Sequence, residues 1–361
     1  MGKIKLGKYI SEFSQKNRDK KPYPVYSVTN SSGFCTEYFT KDVSSEDKSN
    51  YKLVPYGYFA YNPSRINVGS VDCQDREDTV IVSPLYTVFS VSNKLNVNYL
   101  RYFFKSNYSK YLIKSKVSGS VRFNLKFSTL CNFEINEIGV EEQEKAVNLF
   151  SSIEDSIKTE EHELTLLDEL IKSRFNEMFS AFPKVELSQI SQIIMGQSPE
   201  STAYNDDGIG LPFFQGKADY GEKYTVVKHY TKKWNKEAKR GYVLMSVRAP
   251  VGPVNIASTD CAIGRGLCAM NAKPNKANNE FLYNALNSMQ QEIVLSGKDG
   301  STFAAINKDQ VYKLLLPQAP IELQNDFSEF VHHVDKLKFN VQKRIEKYKE
   351  LLNKKMDEYF N

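Results

Sequence analysis

Two long stretches of the chain, 141–179 and 322–360, carry apolar residues at alternating spacings of three and four and contain almost no glycine or proline. The first stripe comprises Ala146, Phe150, Ile153, Ile157, Leu164, Leu167, Ile171 and Met178. The second comprises Phe327, Val331, Val334, Val341, Ile345, Tyr348, Leu352 and Tyr359. This spacing predicts two helices that each pack against a partner helix. Charged residues interrupt the seams at Glu160, Arg174, Lys338 and Lys355.

The length of these helices indicates a spacer. At 1.5 Å per residue, a helix of about 39 residues spans about 58 Å, more than a single domain core needs. The two stripes have equal length and each follows one of two similar regions, so we expect the helices to pair with each other in antiparallel orientation. Ordinary intramolecular helix packing, or simple dimerisation, is the alternative.

The remaining stretches predict mixed domains. Residues 1–138 and 182–319 are rich in Tyr, Phe, Val, Thr, Asn and Gly, in short runs cut by turn residues. Such runs are typical of β-strands joined by tight turns. Short helices are predicted near Asn98 and Glu280.

The second half of the chain repeats the first. Gly119 and Gly300 are 181 residues apart, and so are Gln143 and Gln324. The same separation joins Leu125 to Ile306, Phe150 to Val331 and Phe179 to Phe360. Upstream the separation shifts, to 188 for Pro24 and Pro212, 184 for Gly57 and Gly241, and 183 for Arg65 and Arg248. A constant separation over some sixty residues indicates a duplication, and the shifts indicate loop insertions.

These patterns predict an α+β fold with two similar mixed α/β domains. The domains are separated by two long helices that form an antiparallel coiled coil, with pseudo-twofold symmetry. We place the first domain at 1–138, the central spacer helix at 139–181, the second domain at 182–319 and the C-terminal spacer helix at 320–361.

Composition narrows the class of protein. Five cysteines without a C-x-x-C pair favour neither a disulfide framework nor a zinc site, and suit a reducing cytoplasm. No apolar run reaches the roughly 18 residues of a membrane helix, so no membrane association is expected. The net charge of +5 is low for a protein that binds polyphosphate by bulk charge alone, so positive charge for a nucleic acid would have to be gathered on particular faces.

Catalytic motifs are missing from the sequence. An adenine methyltransferase needs an Asn/Asp-Pro-Pro-aromatic loop, and the nearest match, at 62–65, lacks the second proline and the aromatic residue. No Walker phosphate loop is present, and Gly264-Arg265-Gly266 is not followed by the last glycine of a dinucleotide turn. The four histidines are scattered or fall on helix surfaces. We therefore expect no enzymatic activity and no cofactor.

Four segments carry a resemblance to a known family: LMSVRAPVGPV at 244–254, CAIGRGLCAM at 261–270, DGSTFAAI at 299–306 leading to LLLP at 314–317, and IELQ at 321–324. The first half repeats them more loosely, as SGSVRFNL at 118–125 and VEEQ at 140–143. With them, the whole chain resembles the DNA specificity subunit of type I restriction–modification systems. The first domain has VSPLYTV at 82–88 in place of the Gly-Arg-Gly segment.

The resemblance implies an assembly role in the cytoplasm. Each mixed domain would be a target-recognition domain for one half of a bipartite sequence in double-stranded DNA. The helices would set the spacer and dock two methyltransferase (modification) subunits, which use S-adenosylmethionine to methylate adenine. Motor/nuclease (restriction) subunits would join for cleavage. None of that chemistry would belong to this chain.

Candidate DNA contacts are residue types that read bases or phosphates, placed at predicted turns. In the first domain they are Ser27, Asn30, Arg65, Ser120, Arg122 and Asn124. In the second they are Gln215, Lys217, Arg248, Lys298, Ser301 and Thr302. For the two arginines, a structural role in the turn is the alternative. The lysine-rich segment 232–236 is either a phosphate clamp or a solvated loop.

Other functions stay open from the residues alone. The specificity component of a type IIB system is a close variant. A coiled-coil scaffold whose two heads bind proteins, without reading DNA, is the rival of a different class. A nuclease of unrecognised type is the third.

Overall fold

The computed structural model describes residues 2–30, 32–36, 47–116, 124–296 and 305–361. The chain divides into two compact units. Unit 1 comprises 1–161 and 342–361, and unit 2 comprises 162–341.

Unit 1 contains ten strands and the first three helices among the described residues. The strands are β1 (Lys3–Lys5), β2 (Ile10–Phe13), β3 (Ser27–Thr29), β4 (Gly33–Cys35), β5 (Lys52–Pro55), β6 (Phe59–Tyr61), β7 (Val71–Cys73), β8 (Thr79–Val82), β9 (Thr87–Val91) and β10 (Glu134–Asn136). The helices are α1 (Val97–Lys105), α2 (Asn107–Lys116) and α3 (Phe127–Leu130), with 3-10 turns at Leu6–Lys8 and Ile66–Val68. The long helix α4 (Val140–Phe179) begins in unit 1 and ends in unit 2.

Unit 2 contains eleven strands in the part of the chain that the structure describes. They are β11 (Lys184–Glu186), β12 (Ser191–Met195), β13 (Tyr204–Asn205), β14 (Leu211–Phe214), β15 (Tyr230–Thr231), β16 (Glu237–Ala238), β17 (Val243–Ser246), β18 (Val254–Ile256), β19 (Cys261–Ile263), β20 (Leu267–Ala272) and β21 (Leu315–Pro317). The shorter helices are α5 (Leu187–Ile190), α6 (Asn279–Ser288), α7 (Gln290–Ser296) and α8 (Lys308–Tyr312), with 3-10 turns at Ser201–Ala203 and Lys217–Asp219. Helix α9 (Ile321–Phe360) begins in unit 2 and ends in unit 1.

The two units share one sheet order. A four-stranded sheet runs β2-β9-β6-β7 in unit 1 and β12-β20-β17-β18 in unit 2, with every pairing antiparallel. In the same way β1 pairs with β10, and β11 with β21. The alternating apolar positions of these strands fill the cores. Phe59 and Phe89 stack at 5.2 Å between ring centroids in unit 1, and Val243 faces Met270 in unit 2. The duplication read in the sequence is thus present in the fold.

One pair of equivalent glutamines joins each sheet domain to a long helix. The Gln143 side chain accepts a hydrogen bond from the Asn96 amide at 2.7 Å and donates to two backbone carbonyls. The Gln324 side chain accepts from the Asn278 amide at 3.1 Å and donates to two carbonyls as well. Both glutamines are buried. Residues separated by 181 positions in the sequence therefore form the same contacts in the two repeats.

Long helices run antiparallel within each unit. In unit 1, the ring centroids of Phe150 on α4 and Phe360 on α9 are 6.1 Å apart. The Glu160 carboxylate forms an ion pair with the Arg344 guanidinium at 2.7 Å. In unit 2, the Asp168 carboxylate forms an ion pair with the Lys338 ammonium group at 2.7 Å. The ring centroids of Phe175 and Phe327 are 5.5 Å apart. In both units later residues of α4 contact earlier residues of α9. This confirms the predicted α+β class with long antiparallel helices. The four-part division of the chain stays a prediction.

Two largely buried lysines, Lys223 and Lys338, join the loop at 222–223 of unit 2 to its helices through ion pairs. Lys223, 15% exposed, contacts Glu280 of α6 at 2.9 Å and Asp335 of α9 at 2.6 Å. Burial acts to lower the pKa of Lys223, but the two carboxylates outweigh it and raise the pKa. Lys338 links Asp168 of α4 to a loop carboxylate in the same way. No described helix has the length and apolar character needed to cross a membrane.

Candidate nucleic-acid interface

In unit 2 the ends of several strands meet at one turn, residues 264–266, which we term the arginine turn. The parallel pair β14 and β19 ends there, because the Gly264 amide donates to the Phe214 carbonyl at 2.8 Å. The antiparallel pair β17 and β20 also leads there, because the Val247 amide donates to the Gly266 carbonyl at 2.9 Å. Residues from distant parts of the sequence, on strands of two sheets, are therefore brought together at one edge of unit 2.

Close packing fixes the backbone of the arginine turn. A Cβ at Gly266 would lie 2.2 Å from the carbonyl oxygen of Gln215, so only glycine fits without a shift. A Cβ at Gly264 would lie 3.2 Å from Ser198 Oγ. That hydroxyl accepts a hydrogen bond from the Arg265 amide at 3.1 Å. The glycines here serve close backbone approach.

Two arginines lie side by side at this edge. Because β17 and β20 are antiparallel, the hydrogen bond from the Val247 amide to the Gly266 carbonyl places Arg248 opposite Arg265. Both are exposed, and both line one cavity, together with Met195 and other residues. Among the described residues neither guanidinium forms an ion pair. Two arginines at one edge, without an ion-pair partner among the described residues, add positive charge to this surface of a chain of modest net charge.

Gln215 and Lys217 lie next to the arginine turn. Gln215 follows β14, and its side chain Cγ would be 3.3 Å from a Cβ at Gly264. The buried Asp219 carboxylate accepts the Gln215 amide at 2.7 Å and fixes the start of this loop. Both predicted residues are exposed. The structure therefore brings Gln215, Lys217 and Arg248 to one surface.

In unit 1 the predicted residues gather around the 62–70 loop. Asn30 packs against this loop, since a Cβ at Gly69 would lie 2.2 Å from Asn30 Oδ1. Asn124 comes next to it, because the Leu125 amide donates to the Pro63 carbonyl at 3.0 Å. Arg65 lies in the loop itself and is exposed. Asn30, Arg65 and Asn124 thus share one surface.

Ser27 of unit 1 and Gln215 of unit 2 hold equivalent places. Val25 pairs in parallel with Ile81, and Phe213 pairs in parallel with Ala262. The separations, 188 and 181, are those found between the sequence halves. Ser27 is half-buried at the start of β3, whereas Gln215 is exposed.

The structure corrects one pairing. The sequence alignment matches Arg65 with Arg248. In unit 2 the Ile306 amide donates to Val247, and in unit 1 the equivalent Leu125 amide donates to Pro63. Ser64 therefore holds the place of Arg248, and the unit 1 loop has its extra residue after that point. Arg65 lies on the same loop but one position further along.

Five predicted contacts lie outside the described residues. They are Ser120, Arg122, Lys298, Ser301 and Thr302.

The sequence reading missed Arg265. Its Gly-Arg-Gly segment resembles a segment of the specificity-subunit family and lacks the last glycine of a dinucleotide turn, but neither feature identifies the arginine as a DNA contact. Unit 1 has the same turn with other residues: the Tyr86 amide donates to Ser83 as the Leu267 amide donates to Gly264, each at 3.0 Å. Pro84 replaces the arginine, and Leu85 beside it is 74% exposed. The two units therefore present different chemistry on one scaffold.

Metal or thiol chemistry has little support in the described part of the chain. No group of three or more His, Cys, Asp or Glu side chains there could hold a metal ion. Burial raises the pKa of three thiols to about 12, those of Cys73, Cys261 and Cys268. Such thiols are poor nucleophiles at neutral pH.

Comparisons with known proteins agree with this architecture. The model of the type I restriction modification DNA specificity domain matches the chain twice, over 1–169 and 180–350. The putative type I restriction enzyme MjaX specificity subunit of Methanocaldococcus jannaschii is 28% identical over 356 residues, covering 90% of this chain and 83% of that protein.

Two solved structures share the fold. One, from work on complex assembly and conformational transition of the type I R-M system, has a TM-score of 0.71 at 24% identity and covers 100% of this chain and 97% of its own. The other, a type I restriction-modification S subunit from M. genitalium, has a TM-score of 0.53 at 14% identity and covers 100% and 96%. Because the family model matches nearly the whole chain in two successive copies, this protein belongs to the type I restriction modification DNA specificity family.

Proposed function

We propose that this chain reads a bipartite duplex DNA target, with one half-site bound by each unit and an unspecified spacer between the half-sites. The recognition domains would be 1–138 and 182–319, and the spacer helices 139–181 and 320–361. The observation that carries the proposal is an edge present in both units. In each unit, exposed residues of the types that read bases gather where strand ends from more than one sheet come together.

The differing chemistry of the two edges supports two different half-sites. Unit 2 presents Arg248, Arg265 and Gln215, which suit guanine and adenine. Unit 1 presents Asn30 and Asn124, with Arg65 on the neighbouring loop. A protein that read the same sequence twice would be expected to keep the same residues at both edges.

We further propose that the chain is a non-catalytic assembly subunit without a cofactor. Two methyltransferase subunits would dock on it, and motor/nuclease subunits would join them for cleavage. Exposed leucines on the helices support a docking role: in unit 2 Leu166 and Leu170 of α4 are 49% and 46% exposed, and Leu337 of α9 is 52% exposed. Leu166 and Leu170 are four residues apart and so lie on one face of α4, and exposed apolar patches mark protein contacts.

The test combines copurification with DNA binding. The full chain should copurify with its methyltransferase subunit, and the complex should bind duplexes that carry both half-sites at one spacing. Affinity should fall steeply with salt, by about 10³-fold or more between 50 and 200 mM if six or more phosphates are contacted. A scaffold that binds only proteins would show neither the sequence preference nor this salt dependence, and that result would reject the proposal.

A further inference from the structure

We infer that Arg265, held by the arginine turn, reads a guanine in the half-site of unit 2, and that the equivalent turn of unit 1 makes no such contact. The inference rests on the proposed function and adds a residue, a base and an asymmetry to it.

The first step is the rigidity of the support. The backbone of the turn packs closely against its neighbours. A Cβ at Gly266 would lie 2.2 Å from the Gln215 carbonyl oxygen, and a Cβ at Gly264 would lie 3.2 Å from Ser198 Oγ. The Arg265 backbone amide is held by Ser198 Oγ at 3.1 Å. A side chain that reads a base needs a rigid backbone, because a side chain that can shift its position would also accept a wrong base. Arg265 has such a backbone.

The second step is the state of the guanidinium. Arg101 of unit 1 shows the structural alternative: it is 24% exposed and tied to Asp72 at 2.8 Å and Asp75 at 2.9 Å. Arg265 is exposed, and no described carboxylate pairs with it. No residue in the described part of the chain takes up its forked donors, which suit a ligand at this edge. Two parallel N–H donors match O6 and N7 of guanine, the commonest specific contact of arginine in the major groove.

Arg265 could contact a base or a phosphate, and its neighbours favour the base. Arg248, Arg265 and Gln215 lie next to the arginine turn, where strand ends come together. Two lysines are close to the turn along the backbone: Lys217 comes two residues after Gln215, and the Lys236 carbonyl accepts the Ile263 amide, two residues before Arg265. Phosphate contacts from such lysines would position the protein, while Arg265 on its fixed turn would specify the base.

The fourth step is the contrast with unit 1. The turn at 83–86 has the same hydrogen bond, but Pro84 and Leu85 supply no side-chain donor. The guanine contact should therefore occur in one half-site only.

The experiment selects bound duplexes from a randomised pool with the full chain in complex with its methyltransferase subunit. It compares the wild type with Arg265→Ala, Arg265→Gln and the control Arg240→Ala. Arg240 is an exposed arginine of the same unit, at the opposite end of β17. For Arg265→Ala we expect one G·C pair of one half-site to lose about 10- to 100-fold of its preference, with the other positions unchanged.

Arg265→Gln should shift that position toward adenine, because an amide pairs with N6 and N7 of adenine. This gain of a new preference also shows that the variant is folded. Arg240→Ala should select the wild-type sequence. A uniform loss of affinity at all sequences would mean a phosphate contact and would overturn the inference, as would an unchanged guanine preference in both Arg265 variants. A wild-type complex without any sequence preference would instead reject the proposed function, and the inference with it.

Discussion

The paired glutamines at the start of the long helices give a sharp test of the duplication. Replacing Gln324 with leucine keeps the volume of the side chain and removes its polar atoms. The change leaves the Asn278 amide without its acceptor, and two carbonyls, of Lys276 and Ala319, without their donor. Gln324 is fully buried, so water cannot replace these bonds. Gln143→Leu removes an equivalent set of three bonds in unit 1.

The magnitude follows from the number of bonds. A net hydrogen bond contributes about 1 kcal/mol, and a buried group left without a partner costs about 1–3 kcal/mol. Three bonds, with partial relaxation of the chain around them, give a loss of about 2–4 kcal/mol for each substitution. Gln318→Leu is the matched control, because Gln318 is an exposed residue close to Gln324 and should change stability by less than about 0.5 kcal/mol.

Native-state hydrogen exchange measures the two units separately. We expect the opening free energy of α6 amides to fall by about 2–4 kcal/mol in Gln324→Leu, and that of α1 amides to fall by a similar amount in Gln143→Leu. The largest loss should lie in the unit that carries the substitution. A loss below about 0.5 kcal/mol at either position, or a large loss at one and none at the other, would refute the equivalence of the two contacts.

Three further predictions concern the ion network, the arginine turn and the thiols. Lys223→Met leaves Glu280, 11% exposed, without its cation, and should cost about 3 kcal/mol in urea unfolding at pH 7. Because the pKa of Lys223 is raised, this stabilisation should be complete below the ordinary lysine pKa and lost as the pH rises through the higher folded value. A cost that already disappears by pH 9 would contradict this. Gly266→Ala should weaken DNA binding and destabilise unit 2 by about 1–3 kcal/mol, whereas Gly216→Ala, with open space around it, should do neither; equal effects would reject the steric argument. With a thiol reagent at pH 8, Cys35 and Cys131 should react before the three buried cysteines, and mass spectrometry of the labelled sites would show the opposite order if the burial is wrong.

Much of the fold follows from periodicity in the sequence. The spacing of apolar residues identified both long helices to within one residue at their starts, since a heptad seam over ten turns has few alternative structures. The interruptions at Glu160 and Lys338 have a physical explanation that the pattern could not give: each charge is buried in an ion pair within its own unit, with Arg344 and Asp168.

The site was harder to predict. The match between Pro24 and Pro212 makes Ser27 and Gln215 equivalent, and the parallel pairings of Val25 with Ile81 and of Phe213 with Ala262 give the same equivalence. The sequence comparison misaligns the loop after β6 by one residue, because it matches Arg65 with Arg248 by residue type. The hydrogen bond from the Leu125 amide to the Pro63 carbonyl, which gives the structural equivalence, cannot be seen in the sequence. Arg265 was missed because its neighbours at the sheet edge come from four separate segments of the chain.

The central claim is that the two units read two half-sites at a fixed separation. The most direct test is to map methylated adenines in DNA from cells that carry this chain with its methyltransferase subunit and no other adenine methyltransferase. We expect one methylated motif with two specified parts, different in sequence, separated by a constant number of unspecified base pairs. Methylation at a single uninterrupted motif, or at half-sites with variable separation, would contradict it.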